Sequence, residues 1–505
     1  MPFTDAPSTT DPTNTDPAAA PRRARRTAWL IVGAAAAILA APGPLQVPLL
    51  IFVAIPAMIV WGRSASSWRA ALAGQCAVWG ASTVWTFLSA ALADVKILDP
   101  TILALSIMYL PLNVVPMLAD RWLARSFRDR PLLASLGYPT VRVIGEYAFA
   151  SLMPLGGVLG LLGSTQAEFP ALIQLASVTG VWGVSFMIGW VGSLGAGVLL
   201  GGLRSAAARR WFIGLAALAA VIIGGSIRLA VADLVPAERV RVASISVPAE
   251  LRNTDTGSGA VARTEAMVSA TERELEAGAK IVSWSEAAGL TRTQRDHDAL
   301  LARIGDLAAR HDAWINLGLG HGELTSPEAK VRNLSVLVGP DGSVVWTYDK
   351  ARPIPGLEDN LTAGDGKLPI AATPYGRLTT MICYDTDFPS TARAAGGADI
   401  LLSPTFDWPG IERLHAMSAT LRSVETGVQF VRSTAGGWSM IIDGNGRWRS
   451  VTPDGDSGQT VVLADVSTRG VRTVYAVLGD WFPAAAGLGL AGLLAAAVIG
   501  RRRAR

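Results

Sequence analysis

The segment LTTMICYDTDFP (378–389) runs through β-forming residues to Cys383 and then becomes acidic. Two further segments also carry an ionisable residue at the end of an apolar, β-forming run. They are IVSWSEAA (281–288), which contains Glu286, and VVWTYDK (344–350), which ends on Lys350. Sheet proteins present reactive groups where strands end, so this combination suits covalent acyl transfer. Taken singly, Glu286 and Lys350 are more simply interpreted as exposed loop charges, and Cys383 as a core residue.

All three segments fall within residues 233–472, where short β-rich runs alternate with helical patterns, as in an α/β domain. Apolar residues at helical spacing predict three helices, over 263–277, 298–310 and 412–426. The turn sequences GPDG (339–342) and DGNG (443–446) predict two hairpins. The four histidines are scattered without metal-ligand spacing, so we expect no metal and no cofactor. We interpret one of them, His415, as structural.

The charge of the chain is unevenly distributed. Residues 27–232 hold 18 charged residues in 206 positions, whereas residues 233–472 hold 54 in 240. The first block therefore reads as lipid-embedded, because an apolar run of roughly 17–25 residues suffices to cross a bilayer. Its uncharged runs predict seven membrane spans, and an eighth follows the polar domain. The runs are 27–62 (two spans, divided at Pro42-Gly43-Pro44), 70–93, 100–119, 147–167, 169–203 (one span plus a glycine-rich loop), 211–227 and 481–500.

Arginine clusters test this count, since basic residues concentrate on the cytoplasmic side of a membrane. With eight spans, the clusters at 22–26, 63–69, 121–130, 204–210 and 501–505 all fall on one side. We therefore predict cytoplasmic termini and a polar domain outside the cytoplasm. The predicted divisions are a disordered N-terminus (1–26), seven spans (27–232), the polar domain (233–472), the eighth span (473–500) and a basic tail (501–505). The small net charge of +4 argues against nucleic-acid binding.

Two residues in or at the edge of the predicted spans, Cys76 and Glu146, have simple structural interpretations. Two cysteines cannot form a disulfide framework, so Cys76 is expected to pack as a small apolar residue within a span. Glu146 follows Arg142 by four residues, which favours an ion pair at the cytoplasmic edge of the fifth span over a proton relay.

The segments WSEAA, YDKARPIPGLE and CYDTDFP resemble the Glu, Lys and Cys motifs of the nitrilase superfamily, in that order. Together with eight spans and the stretches at 422–446 and 472–482, they make residues 27–500 similar to the apolipoprotein N-acyltransferase family. The resemblance implies a bacterial plasma-membrane enzyme with an extracytoplasmic, nitrilase-like αββα sandwich. It also implies a monomer that acts in the bilayer without a cofactor.

The resemblance further implies a reaction. Cys383 attacks a phospholipid ester and forms a thioester, with Glu286 as general base. Lys350 and the backbone N–H of Tyr384 stabilise the oxyanion. The N-terminal amine of a diacylglyceryl-cysteine on an apolipoprotein then accepts the acyl chain.

Supporting roles are expected for Glu358, beside the lysine, and for Asp385, after the nucleophile. Arg352, Trp438 and Ser439 are possible substrate contacts, with a solvated charge or packing as equal alternatives. Segments 251–262 and 353–367 are lids or ordinary surface loops. Departures from the family pattern at Ser285, Asp385, Ala435 and the 352–358 loop leave room for a divergent paralogue.

Three other functions remain open at this stage. A membrane-bound amidase or nitrilase would use water instead of an amine, but eight spans are excessive for a tether. A silent scaffold or partner subunit is disfavoured by the intact Glu286, Lys350 and Cys383. A transporter is disfavoured by the scarcity of charge within the spans.

Overall fold

The structure is a computed structural model that describes residues 19–41, 46–92, 100–153, 155–252, 254, 257–322, 330–408, 411–452 and 460–503. Residues 1–18 and the Pro42-Gly43-Pro44 break lie outside the described residues. Its first part is helical. The helices are α1 (Ala19–Ala40), α2 (Ile51–Ser64), α3 (Trp68–Leu92), α4 (Pro100–Ser126), α5 (Pro131–Ser135), α6 (Gly137–Leu152), α7 (Pro170–Ile173), α8 (Ala176–Thr179), α9 (Val181–Gly201) and α10 (Ala206–Leu234).

Three described helices are long and apolar enough to cross a membrane by length and composition. They are Val181–Gly201, Ala206–Leu234 and Trp481–Gly500, which correspond to the predicted sixth, seventh and eighth spans. The other five spans stay predictions. Residues 19–26, predicted to be disordered, are helical, because the alanines and arginines there favour helix and extend the apolar run that follows.

The predicted boundaries of the fifth and sixth spans are wrong. The helix at the predicted fifth span is α6 (Gly137–Leu152), which ends before most of the predicted run at 147–167. Gly157 and Gly160 have φ values of +113° and +68°, which a continuing helix does not allow. At the sixth span, the excess length forms α7 and α8 at the start of the run rather than a loop at its end. The glycines at 195, 197 and 201 instead lie within α9.

Arg142 and Glu146 do form the predicted i,i+4 ion pair, at 2.7 Å, but they lie fully buried in the middle of α6. The guanidinium also donates to the carbonyl of Leu112, and the carboxylate accepts from the N–H of Leu162. The pair therefore joins α4 and α6 to the segment that follows α6. The count of uncharged runs misplaced this helix, because it treated Arg142 and Glu146 as lying outside a span. As an ion pair, these two charged residues can be buried inside the protein.

The second part is an αββα sandwich. Its strands are β1 (Arg239–Ile245), β2 (Ile281–Trp284), β3 (Gly289–Thr291), β4 (Trp314–His321), β5 (Arg332–Val338), β6 (Val344–Asp349), β7 (Ile370–Thr373), β8 (Gly376–Thr380), β9 (Ile400–Phe406), β10 (Gln429–Ala435), β11 (Ser439–Ile442), β12 (Trp448–Thr452) and β13 (Val461–Ser467). Its helices are α11 (Gly257–Glu276), α12 (Gln294–His311), α13 (Pro389–Ala394) and α14 (Glu412–Thr426), followed by α15 (Val474–Leu478) and the predicted eighth span, α16 (Trp481–Arg503).

Two sheets form the centre of the sandwich. One has the strand order β13-β1-β2-β4-β5-β6, with β3 beside β4, and the other has the order β12-β11-β10-β9-β8-β7. Side chains such as Val242, Leu378 and Val431 fill the space between the sheets. The outer face of the first sheet packs on α11 and α12, and that of the second packs on α14. The two predicted hairpins, β5–β6 and β11–β12, are confirmed.

Several sequence-based boundaries within this domain need correction. Residues 257–262, predicted as loop, begin α11, because Gly257 and Gly259 are tolerated in its first turn. Segment 353–367 has no helix or strand, as predicted. Cys383 was predicted to close a strand, but β8 ends at Thr380 and Cys383 starts a 3₁₀ turn. The sequence did not predict β3 or β7, since strands of three or four residues carry little periodicity.

The two parts contact each other directly. The N–H of Val181, at the start of α9, donates to the buried carboxylate of Glu425 at 2.7 Å. The indole of Trp182 donates to Asp480, which precedes the eighth predicted span. These contacts place the beginning of α9 against the sandwich.

Candidate active site

Cys383 lies in a tight turn, Cys383–Asp387, between the two sheets and the helical part. Its φ of +46° is rare for a residue with a side chain, and such strain concentrates at functional sites. The residue is 5% exposed, and its thiol donates to the carbonyl of Phe406 at 3.4 Å. Ala287, directly after Glu286, has a similar φ of +47°. The backbone therefore bends sharply at Cys383 and directly after Glu286.

Lys350 is completely buried between two carboxylates. Its ammonium donates to Oε1 of Glu286 at 2.8 Å and to Oε1 of Glu358 at 2.7 Å. Glu286 also accepts from the amide of Asn333 at 2.6 Å, and Glu358 accepts from the N–H of Ile354 at 2.7 Å. An ammonium has three N–H groups, so these two bonds leave one for a ligand. The structure thus brings together the lysine and both predicted glutamates.

Asp385 holds the turn of the nucleophile candidate to the loop of the lysine. Its buried carboxylate accepts from the hydroxyl of Tyr348 at 2.9 Å and from the N–H of Ile382 at 3.2 Å. It also accepts from the N–H groups of Ala351 at 3.3 Å and Arg352 at 2.8 Å, which directly follow the buried lysine. A single carboxylate therefore fixes the relative position of two of the three candidate segments.

Asp385→Asn is expected to lower the free energy of unfolding by about 1–3 kcal/mol, because its amide group must face at least one buried N–H donor. Acyl transfer is expected to fall as well, since the lysine loop shifts. Thermal unfolding of the purified protein checks the first effect. Asp365→Asn is the matched control, because Asp365 is an exposed carboxylate that accepts a backbone N–H in the same loop. Equal stability of both variants would contradict the clamping role.

A cavity of about 100 Å³ opens beside Cys383, and most of its wall is apolar. The helical part, the loop after Lys350 and the sandwich each supply part of this wall. Its residues are Tyr109, Leu155, Gly156 and Leu159 from the helical part, Ile354, Pro355 and Leu357 from the loop, and Cys383, Tyr384, Asp387, Phe406, Trp408, Ile411 and His415 from the sandwich.

The segment after α6 is bonded to the turn that carries Cys383. The hydroxyl of Tyr384 donates to the carbonyl of Gly156 at 2.9 Å, and the N–H of Val158 donates to the carbonyl of Asp387 at 2.9 Å. Between them, Gly157 has a φ of +113°, and a Cβ there would come within 2.9 Å of the Asp387 side chain. The close approach therefore requires glycine. Sequence reasoning missed this contact, because its partners are more than 200 residues apart.

A charged network lies behind the nucleophile candidate. Asp407 follows Phe406, the residue whose carbonyl accepts from Cys383. Its carboxylate accepts two bonds from Arg432, at 2.8 and 2.7 Å, and one from Nδ1 of His415 at 2.8 Å. The charges of Arg432 and His415 outweigh burial and hold the pKa of Asp407 below its usual value. His415, interpreted as structural, is buried in this network and also lines the cavity.

The electrostatics keep Cys383 protonated at rest. Burial, followed by the negative charge of Glu286, raises the pKa of the thiol well above its ordinary value, although Lys350 opposes the shift. Burial alone would lower the pKa of Lys350, but the negative charges of Glu286 and Glu358 and the hydrogen bond to Glu286 raise it more, so the ammonium stays charged. A protonated thiol beside a carboxylate and a fixed cation needs a general base before it can attack.

The raised thiol pKa predicts how Cys383 reacts with iodoacetamide. Because the thiolate is the reactive form, the alkylation rate should rise roughly tenfold per pH unit and still be rising at pH 9. Mass spectrometry of the Cys383 peptide in a Cys76→Ala background measures this rate. A rate that is already constant from pH 7 upward would show a preformed thiolate and contradict the electrostatics described above.

The remaining predicted contacts differ in their position. The guanidinium of Arg352 stacks on the ring of Phe388 at 3.9 Å, near the nucleophile turn. Trp438 packs edge-on against Trp448, and the hydroxyl of Ser439 bonds to the backbone of Thr434. Neither Trp438 nor Ser439 belongs to the described residues that line the Cys383 cavity. Packing is therefore the role that their surroundings support.

Comparisons with known proteins assign both parts of the chain. The carbon–nitrogen hydrolase family model matches residues 241–475, and the model of the apolipoprotein N-acyltransferase N-terminal domain matches residues 33–194. The apolipoprotein N-acyltransferase of Gloeobacter violaceus is 38% identical over 140 residues, which is 26% of each chain. That of Geobacter metallireducens is 28% identical over 365 residues, covering 66% of this chain and 68% of the relative.

The sandwich is also similar to a hydrolase. The deaminated glutathione amidase of Mus musculus is 30% identical over 191 residues, covering 33% of this chain and 58% of the amidase. The amidase match is thus limited to a third of this chain, whereas the match to the Geobacter metallireducens acyltransferase covers two thirds of it.

Proposed function

The chain belongs to the apolipoprotein N-acyltransferase family of the nitrilase superfamily, and we propose that it transfers an acyl chain from a membrane phospholipid to the N-terminal amine of apolipoproteins. The observation that carries this proposal is the cavity at Cys383. Its wall is apolar and includes Tyr109, Gly156 and Leu159 from the helical part. An acyl chain arriving from a bilayer would suit such a wall, whereas a small polar amide would not.

In the first half-reaction, Glu286 takes the proton of the Cys383 thiol as the sulfur attacks the ester carbonyl of the phospholipid. Lys350 donates its third N–H to the oxyanion of the tetrahedral intermediate, aided by the backbone N–H of Tyr384. The intermediate then expels the lysophospholipid alkoxide, which takes the proton back from Glu286. The buried ammonium and the raised thiol pKa support this assignment of roles.

In the second half-reaction, the amine of the diacylglyceryl-cysteine attacks the thioester. Glu286 accepts a proton from the amine, an amide forms, and the thiolate of Cys383 leaves and is reprotonated. Glu358 accepts a second hydrogen bond from Lys350 and so helps to hold the ammonium, and Asp385 fixes the loop. No step needs a metal or a nucleotide, and the wall shared with the helical part supports a monomer that acts within the bilayer.

We place the sandwich outside the cytoplasm of a bacterial plasma membrane, with both termini inside. We also propose membrane and catalytic divisions at 27–232 and 233–472, with 473–500 as the last span. The family match at 33–194 falls inside the first division, and the match at 241–475 lies in the second except for its last three residues, so both support these divisions. The arginine clusters between the predicted spans support the orientation.

A cysteine accessibility experiment tests the orientation. Lys367 is exposed on the sandwich, so K367C in a background without Cys76 and Cys383 offers one reactive thiol there. A membrane-impermeant maleimide is expected to label this thiol in intact spheroplasts. Labelling only after lysis would place the domain in the cytoplasm.

Mass spectrometry of lipoprotein N-terminal peptides tests the function. Cells that lack this protein should accumulate diacylated peptides, and the wild-type gene should restore a third, amide-linked chain. If the wild-type gene does not restore that chain, and the purified protein releases free fatty acid from phospholipid, a hydrolase would be favoured instead. The similarity to the mouse amidase makes this the second candidate.

A further inference from the structure

Five arginines line one cavity of about 500 Å³ at the far end of the helical part. They are Arg63, Arg121, Arg125, Arg128 and Arg210, which we call the arginine pocket. Val181, at the start of α9, contacts the sandwich. Residues of α9 between Ser193 and Gly197 line the arginine pocket, and they lie roughly 18–24 Å further along the helix. The pocket is therefore separate from the site at Cys383.

Two of the arginines are held by the protein itself. Arg63 makes a two-pronged bond to the carboxylate of Asp120, at 2.8 Å for each contact. Arg121 is 1% exposed and donates to the carbonyls of Gly62 and Ala65. Its Nε has no hydrogen-bond partner in the described structure, although it is buried. Arg121 thus brings a guanidinium group to the wall of the pocket, and no described carboxylate forms an ion pair with it.

The other three arginines also form no ion pair with an acidic residue in the part of the chain that the structure describes. Arg125 lies over the ring of Trp68 at 5.4 Å, a contact that attracts the cation but supplies no negative charge. Arg128 and Arg210 form no ion pair with any described residue, and the described wall of the pocket contains no carboxylate. Among the described residues, Asp120 is therefore the only carboxylate that forms an ion pair with any of the five arginines, and its partner is Arg63. The like charges of such a cluster repel one another, and a bound anion would relieve that repulsion.

We propose that the arginine pocket binds the phosphate of an anionic membrane lipid. Guanidinium groups match phosphate oxygens in two-pronged geometry, which suits Arg for this anion. A lipid is favoured over a soluble phosphate because Phe127, Ala134 and Leu194 form an apolar side of the same cavity. Basic pockets between membrane helices are a recognised means of holding lipid head groups.

The bound phosphate would join three helices at one point. Arg63 comes from α2, Arg121 and Arg125 from α4, and Arg210 from α10, and α9 closes the wall. Occupancy would therefore stabilise the bundle on which the distant site at Cys383 rests. This lipid is distinct from the acyl donor, because its phosphate lies at the opposite end of α9.

Two triple variants test the proposal. The first is Arg125→Gln, Arg128→Gln and Arg210→Gln, which empties the pocket of the arginines that the protein does not itself hold. The matched control is Arg130→Gln, Arg204→Gln and Arg209→Gln, which removes the same charge from exposed positions outside the pocket. Both are purified and compared with wild type in phosphatidylcholine nanodiscs, with and without phosphatidylglycerol.

Phosphatidylglycerol is expected to raise the unfolding temperature of wild type and control by several degrees, and that of the pocket variant hardly at all. Native mass spectrometry should find retained phosphatidylglycerol on the first two proteins only. An equal temperature rise in all three would reduce the effect to general surface charge and overturn the proposal. An equal rise of wild type with inorganic phosphate instead of lipid would assign the pocket to a soluble anion and overturn the lipid assignment.

Discussion

Cys383→Ser is expected to reduce acyl transfer to apolipoprotein by roughly 1,000-fold or more, because a hydroxyl is a far weaker nucleophile than a thiol and is not activated by the same base. The strained turn, with φ of +46°, and the buried pocket around the side chain are compatible with serine, which has nearly the same shape. The variant should therefore fold normally. In vitro transfer from phospholipid to a diacylglyceryl peptide measures the effect.

Cys76→Ser provides the matched control, because Cys76 is the other cysteine of the chain and lies partly buried in α3. Its transfer rate should remain close to that of wild type. A Cys383→Ser variant with more than a tenth of wild-type activity would remove Cys383 as the nucleophile. Comparable losses in both variants would indicate general damage to the protein rather than loss of a reacting group.

Lys350→Met should abolish transfer and also destabilise the protein by about 3–5 kcal/mol, because removing one partner leaves buried charge uncompensated. The ammonium now neutralises Glu286 and Glu358 at 2.8 and 2.7 Å. Burial already raises the pKa of Glu358, and loss of the nearby cation should raise it further. Thermal unfolding measures the stability, and the transfer assay measures the activity.

The sign of the pH effect follows from these carboxylates. A group whose pKa is higher in the folded protein than in the unfolded chain takes up protons on folding, so its variant gains stability as the pH falls. The deficit of Lys350→Met should thus be smaller at pH 5 than at pH 8. Lys367→Met, which removes an exposed lysine, should change neither stability nor activity. A pH-independent deficit would contradict the idea that two unpaired carboxylates cause it.

The sequence was sufficient for the chemical groups of the candidate site. Glu286, Lys350 and Cys383 each follow a short apolar strand, and the structure brings the lysine into contact with the predicted Glu286 and Glu358. Local pattern could not supply Asn333, which bonds to Glu286 from another strand. Nor could it supply the bond from Tyr384 to Gly156, since pairing over 228 positions depends on how the two parts dock.

The limits of pattern reasoning are clearest in the helical part. Counting uncharged residues placed the fifth span at 147–167 instead of at α6 (Gly137–Leu152). The buried pair Arg142–Glu146 looks like the end of a span in the sequence. The glycines in and around α9 were also misassigned. Gly195 lies within α9 and packs against Trp211 of α10, whereas Gly180, with φ of +68°, separates α8 from α9. Packing partners decide such cases, and a single sequence does not reveal them.

The central claim is that the acyl chain passes through a thioester on Cys383. The purified protein is incubated with a phospholipid whose acyl chain is labelled, and the protein is then recovered without acceptor. Label should appear on the Cys383 peptide, be released by neutral hydroxylamine and leave when a diacylglyceryl peptide is added. Label that is absent from a preparation active in transfer, or that resides on any other peptide, would contradict the account.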